Sequence, residues 1–134
     1  MRQGTPFRTL LLDAEGVSAV ATRHLTVRRY LAAAAAHSAR VAAPWTVLAE
    51  TLHGSGRRAR EHAVSRLSLV ELTADHYRDA ARLMDRASLG GRTIDALVVA
   101  AARTCEKPVV IVTSDPGDIK ALIRGEPGIA VVAV

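Results

Sequence analysis

Four aspartates and one glutamate stand where a carboxylate could do chemistry. Asp13 closes the strand-like run Phe7 to Leu12, and Asp115 follows the β-branched run Val109 to Val112 through Thr113 and Ser114. Asp95 falls in the first turn of an apolar helix that Thr93 would cap, where the positive end of the helix dipole favours a negative charge. Glu50 lies on an otherwise apolar helix, and Asp118 stands three residues beyond Asp115. Hard oxygen ligands with no His or Cys beside them select Mg²⁺ or Mn²⁺ over zinc. One or two such ions lower the pKa of a bound water and stabilise charge on a phosphoryl oxygen, as metal-dependent nucleases require. A single Asp at a strand end or helix start is often only a cap. The signal is that several occupy corresponding places.

The elements that must position these acids alternate between strand and helix. Phe7 to Leu12, Arg40 to Ala43, Leu67 to Leu72, Val109 to Val112 and Ile129 to Val134 read as strands. Val109 to Val112 has no polar residue, the mark of a strand covered on both faces in a parallel sheet. Gly16 reads as a break before helical spacing at Val17, Val20, Ala21 and His24. Thr26 to Ser38, with Val27, Tyr30, Leu31 and Ala34 on one face, predicts a helix. Another runs from Pro44 at its first position to His53, with Trp45, Leu48 and Leu52 on one face and Val47 and Glu50 on another. After the break Gly54-Ser55-Gly56, Arg57 to Arg66 is a basic helical segment. Asp75 to Leu89 follows behind Thr73 and Asp75 as caps, with Ala80, Leu83, Met84 and Ala87 facing inward. Ile94, Leu97, Val98, Ala101 and Cys105 mark the most buried helix, which stops at Glu106-Lys107-Pro108. A Pro116-Gly117 turn, a short helix through Ile123 and a turn at Glu126-Pro127-Gly128 lead to the last strand. This alternation predicts an α/β fold, a three-layer α/β/α sandwich on a central parallel sheet. Residues 1–134 fit one domain, frayed over 1–6.

Composition narrows the function classes. Hydrophobic residues make up 49 % but aromatics only 3 %, so Ala, Val and Leu fill the core, and Trp45, Phe7, Tyr30 and Tyr77 are too scattered for a base-stacking platform. Lys and Arg number 18 against 13 Asp and Glu, a net charge of +5, and only Lys107 and Lys120 are lysines. An Arg-rich surface around buried acids suits a polyanion approached through metal ions. Arg57, Arg58 and Arg60 are candidates to reach an RNA backbone. The one cysteine, Cys105, excludes an internal disulfide and any Cys-based zinc site. The five His residues lack ligand spacing, Ser18, Ser114 and Cys105 have no His placed for a triad, and GxGxxG is absent. No stretch of 18 apolar residues or signal-like segment occurs, which predicts a soluble, cytoplasmic chain.

LLDA at 11–14, APWTVLAE at 43–50, TIDALVVAAA at 93–102 and VVIVTSDPGDI at 109–119 resemble the PIN-domain ribonucleases, and within them the VapC-like toxins of bacterial toxin–antitoxin pairs. The resemblance spans nearly the whole chain in the right order. It implies an acidic quartet, Asp13, Glu50, Asp95 and Asp115, that binds Mg²⁺ or Mn²⁺ and hydrolyses RNA phosphodiesters, with Asp118 as an additional metal ligand. It also implies a homodimer and a cognate antitoxin that blocks the site. Two departures are Ile119, where many relatives carry an aromatic residue, and Glu15-Gly16, where a small residue or Ser is common. The alternative from another class is a PIN-like scaffold without turnover that binds RNA or a protein partner. A receiver-like signalling domain also carries acids at strand ends, but it needs a Lys at the end of the last strand, and Ile129 to Val134 has none.

Overall fold

The structure, a computed structural model, describes residues 6–134. Of the expected frayed segment 1–6, all but Pro6 lies outside the described residues. Five strands, β1 (Thr9–Leu12), β2 (Arg40–Pro44), β3 (Ser68–Val70), β4 (Val109–Thr113) and β5 (Ile129–Ala133), form one sheet in the order β3-β2-β1-β4-β5. Every pairing is parallel. The chain builds outward from β1 to β2 and β3, then returns to place β4 on the other side of β1. The topological switch point therefore lies between β1 and β4, where open α/β sheets bind ligands beyond the strand ends.

Helices cover both faces. On one lie α1 (Ala14–Ala21), α2 (Leu25–Ala36), α3 (Thr46–Thr51) and α4 (Arg57–Ser65), whose Val17, Val27, Val47 and Ala63 pack with Leu10, Leu12, Val110 and Val112. On the other lie α5 (Ala74–Ala87), α6 (Thr93–Thr104) and α7 (Pro116–Ile123), which pack with Leu11, Ala42, Val109 and Ile111. Alternate residues of β1 and β4 thus feed opposite cores, the period-two consequence of a strand buried on both sides. In α6 the residues Ala96 to Ala102 are all buried, so small side chains let this helix lie close to the sheet. Among the described residues no helix is long and apolar enough to cross a membrane.

Several boundaries differ from the expectation for identifiable reasons. Gly16 does not break the chain but lies inside α1, where Asp13 caps the helix by accepting from the Gly16 N–H at 2.9 Å. Glycine is required there by proximity: a Cβ would stand 2.9 Å from the Val112 carbonyl oxygen and 3.1 Å from Leu12 Cβ. Thr93 is the first residue of α6 rather than its cap; Arg92 caps through its carbonyl, which accepts from Ala96, and Asp95 becomes the third helical residue. Pro44 ends β2 instead of starting a helix, because the N–H of Trp45 donates to Val70 and carries the ladder past the proline. α3 is accordingly only Thr46–Thr51, and Trp45, expected on its apolar face, is exposed. Pro116-Gly117 opens α7 rather than turning: a proline at the first helical position lacks an N–H that would find no partner there. β3 shrinks to three residues at the sheet edge.

Gly16→Ala should therefore lower the melting temperature, although Ala is the better helix former by about 1 kcal/mol. Overpacking against Val112 should cost about 1–3 kcal/mol. A variant melting at or above the parent would show that α1 can move away from β4.

Candidate metal-binding acidic site

The register of the two central strands sets the site. Leu12 pairs with Val112, and the Asp13 N–H donates to the Val112 carbonyl at 3.2 Å, so Asp13 leaves the sheet beside Thr113. The Thr113 hydroxyl stands between two acids: it lowers the pKa of Asp13 and accepts from the Asp115 N–H at 3.0 Å. Thr113 is fully buried, and Asp13 is 8 % exposed. Asp115 is exposed as the cap of α7, with Asp118 in the first turn of that helix. The start of α6 brings Asp95 to the same rim. One carboxylate oxygen from each of Asp95, Asp115 and Asp118 lies within 4.8 Å of the other two.

Asp13 and Glu50 stand outside that trio, yet their charges reach the site. The Glu50 carboxyl is raised above its ordinary pKa by partial burial first, then by the charges of Asp13 and Glu15. Burial also raises Asp13, against the opposing hydrogen bonds from Thr113 and Gly16. Asp95 is pushed up to about 6, by desolvation and then by Asp115, Asp13 and Asp118, with the Arg92 guanidinium opposing. A carboxylate early in a helix is ordinarily favoured by the dipole. Here burial and repulsion outweigh it.

The donor set suits a hard divalent cation. Octahedral Mg²⁺ with oxygens at about 2.0–2.1 Å places neighbouring ligands about 3 Å apart and opposite ones about 4 Å apart. Asp95, Asp115 and Asp118 gather one oxygen each within 4.8 Å, and Asp13 is near enough for its charge to raise Asp95.

Two residues escaped the sequence reading. Thr113 was visible only as a strand end; its position two residues before Asp115, aligned with Asp13 across the sheet, is the signal that could have found it. Arg92 gave no signal, because its partner Asp118 is distant in sequence: Arg92 Nε lies 3.1 Å from Asp118 Oδ2. The basic helix α4 is partly committed elsewhere. Arg60 donates to the carbonyls of Thr51, His53 and Ser55, closing the end of α3, and Arg57 approaches Glu61 at 3.9 Å. His24 and His76 serve as helix caps, Nδ1 accepting from the N–H of Thr26 and of Thr73 respectively.

Solved structures share this fold. A chain of the VapBC2 complex from Rickettsia felis bound to a promoter DNA fragment superposes with a TM-score of 0.69 at 16 % identity, over 94 % of this chain and 98 % of that one. A chain of a toxin–antitoxin complex from Klebsiella pneumoniae gives 0.69 at 16 %, over 93 % and 99 %. One from VapBC-5 of Mycobacterium tuberculosis gives 0.57 at 20 %, over 95 % and 99 %. No protein-family model and no curated protein matches the sequence. The chain is a PIN-like α/β/α domain. The likeness to chains of these complexes is one of the whole fold.

The raised pKa of Asp95 fixes a pH dependence. A folded chain that holds a proton more tightly than the unfolded chain is favoured at low pH, and that contribution is lost as pH rises from the ordinary 3.8 through about 6. In metal-free buffer at pH 7, Asp95→Asn should melt about 2–4 °C higher than the parent. Near pH 3.5, where both chains carry a neutral group, the difference should vanish. A variant that melts lower at pH 7 would mean that Asp95 acts as an ordinary helix-start carboxylate.

Proposed function

We propose that this chain is a divalent-metal-dependent ribonuclease, the toxin of a toxin–antitoxin pair. The observation that carries the proposal is the convergence of Asp95, Asp115 and Asp118 within 4.8 Å at the sheet's switch point, with Asp13 close enough to raise both Asp95 and Glu50. The whole-length likeness to chains of toxin–antitoxin complexes supports the biological setting. On this reading Asp13, Asp95 and Asp115 hold Mg²⁺ or Mn²⁺, which when bound supplies a water of lowered pKa and charge stabilisation at phosphorus.

The chain's own groups supply orientation and proton transfer. Glu50, whose carboxyl is raised by burial and by the charges of Asp13 and Glu15, takes a proton from the attacking water at its carboxylate. Water oxygen adds to phosphorus, one P–O ester bond breaks, and the leaving sugar oxygen is protonated, which yields a phosphate monoester and a hydroxyl. Thr113 fixes Asp13 and the start of α7 relative to each other, so the acids meet the phosphate in a set geometry. Arg57 and Arg58, exposed on α4, remain the residues there that could attract an RNA backbone, since Arg60 is occupied. A cognate antitoxin, a homodimer and a cytoplasmic location belong to the same proposal, and the partner rests on the complexes in which the similar folds occur.

Asp13→Asn keeps the oxygen that caps α1, so its fold should survive while RNA cleavage falls by at least a hundredfold. Asp95→Asn should behave alike, EDTA should stop the parent, and Mg²⁺ or Mn²⁺ should restore it where Zn²⁺ does not. Wild-type rates in both variants would remove the mechanism and favour a scaffold that binds without turnover.

A further inference from the structure

We infer that Arg92 grips a phosphate of the bound RNA, and that Asp118 serves to aim Arg92 rather than to complete the metal site. This rests on the ribonuclease reading for its ligand, and on three observations for its geometry. Arg92 sits at the end of the acidic rim, as the residue that caps α6 three positions before Asp95. Its Nε is held 3.1 Å from Asp118 Oδ2, and Asp118 is the less exposed partner of the pair, 24 % against 56 %. Its terminal nitrogens make no hydrogen bond to another described residue, and the side chain as a whole is more than half exposed.

A guanidinium is a planar fork with donors on more than one edge. One edge tied to a carboxylate leaves the others free, and a tethered fork loses less freedom when it binds a phosphate oxygen. The rim otherwise carries Asp13, Glu15, Glu50, Asp95, Asp115 and Asp118, all of which repel a phosphodiester before metal is bound. A cation fixed at the edge of that field supplies the attraction the acids lack. Of the three acids nearest one another, Asp118 is the one paired with a cation, while Asp13, Asp95 and Asp115 have no ion-pair partner among the described residues.

The test measures binding, so it is separate from turnover. A mixed-sequence single-stranded oligoribonucleotide is titrated with Ca²⁺ in place of Mg²⁺, since Ca²⁺ accepts looser oxygen geometry. Affinity is measured across a salt series for the parent, Arg92→Gln, Arg92→Lys, Asp118→Asn and the double variant Arg92→Gln/Asp118→Asn. Arg92→Gln should weaken binding on the order of tenfold and flatten the salt dependence by about 0.7, the loss of one phosphate contact on a single strand. Arg92→Lys should keep the slope and lose affinity severalfold, because it keeps the charge without the fork. Asp118→Asn should also weaken binding, against the simple expectation that removing a negative charge helps RNA to bind. The double variant should be no weaker than Arg92→Gln alone. Calorimetric Mn²⁺ affinity should be kept within about threefold in Asp118→Asn. An unchanged salt slope in Arg92→Gln, tighter RNA binding by Asp118→Asn, additive losses in the double variant, or loss of Mn²⁺ binding with Asp118 would each overturn the assignment. A parent that binds RNA with the expected slope but never cleaves it with Mg²⁺ would sink the ribonuclease reading and leave Arg92 standing.

Discussion

Repulsion among carboxylates held at one edge of the sheet is the constraint on which the rest depends. Free acids would move apart; these cannot, because their backbones are fixed. The Asp13 N–H is bonded to Val112, the Asp115 N–H to the Thr113 hydroxyl, and Asp95 belongs to a helix whose residues 96–102 are all buried. Burial first, and repulsion from neighbouring acids after it, raise the pKa values of Asp13, Glu50 and Asp95. Stability lost at the site has to be offset by the core around it.

That core is built for rigidity near the acids. Leu10, Leu11, Leu12 and Val109 to Val112 are fully buried, and burial of such side chains contributes about 1.5–3 kcal/mol each relative to exposure. Alanine in α6 and glycine in α1 bring both helices close to β1 and β4, so neither Asp95 nor Asp13 rides on a loop. Farther away, Arg103 bridges Asp79 of α5 and Glu126 before β5, tying the outer helices to the sheet edge. Rigid elements hold ligands in place better than loops do.

Much of this was legible in the sequence because it depends on local pattern. The β-branched run at Val109 to Val112 announced a doubly covered strand, and the acids at Asp13 and Asp115 stood at its end and its neighbour's. What the sequence hid were decisions made by tertiary packing. Gly16 carries the same signature whether it breaks a helix or lets it approach a carbonyl, and Pro116-Gly117 reads as a turn or as a helix start with equal right. The pairing of Arg92 with Asp118 depends on where α6 and α7 meet, which no periodicity records. Glu50, a site candidate from its place on a helix face, lies outside the trio of oxygens nearest one another.

The central claim is that these carboxylates form one metal site whose members compete with protons. Calorimetric titration of the full chain with Mn²⁺ between pH 5 and pH 7.5 tests it without any RNA. With Asp95 at about 6 in the metal-free protein, affinity should rise about fivefold from pH 5 to pH 6, about tenfold by pH 7, and level off above that. Asp95→Asn should bind weakly and without that pH dependence. Mn²⁺ affinity that is the same at every pH, or the same in the parent and Asp95→Asn, would contradict a shared site.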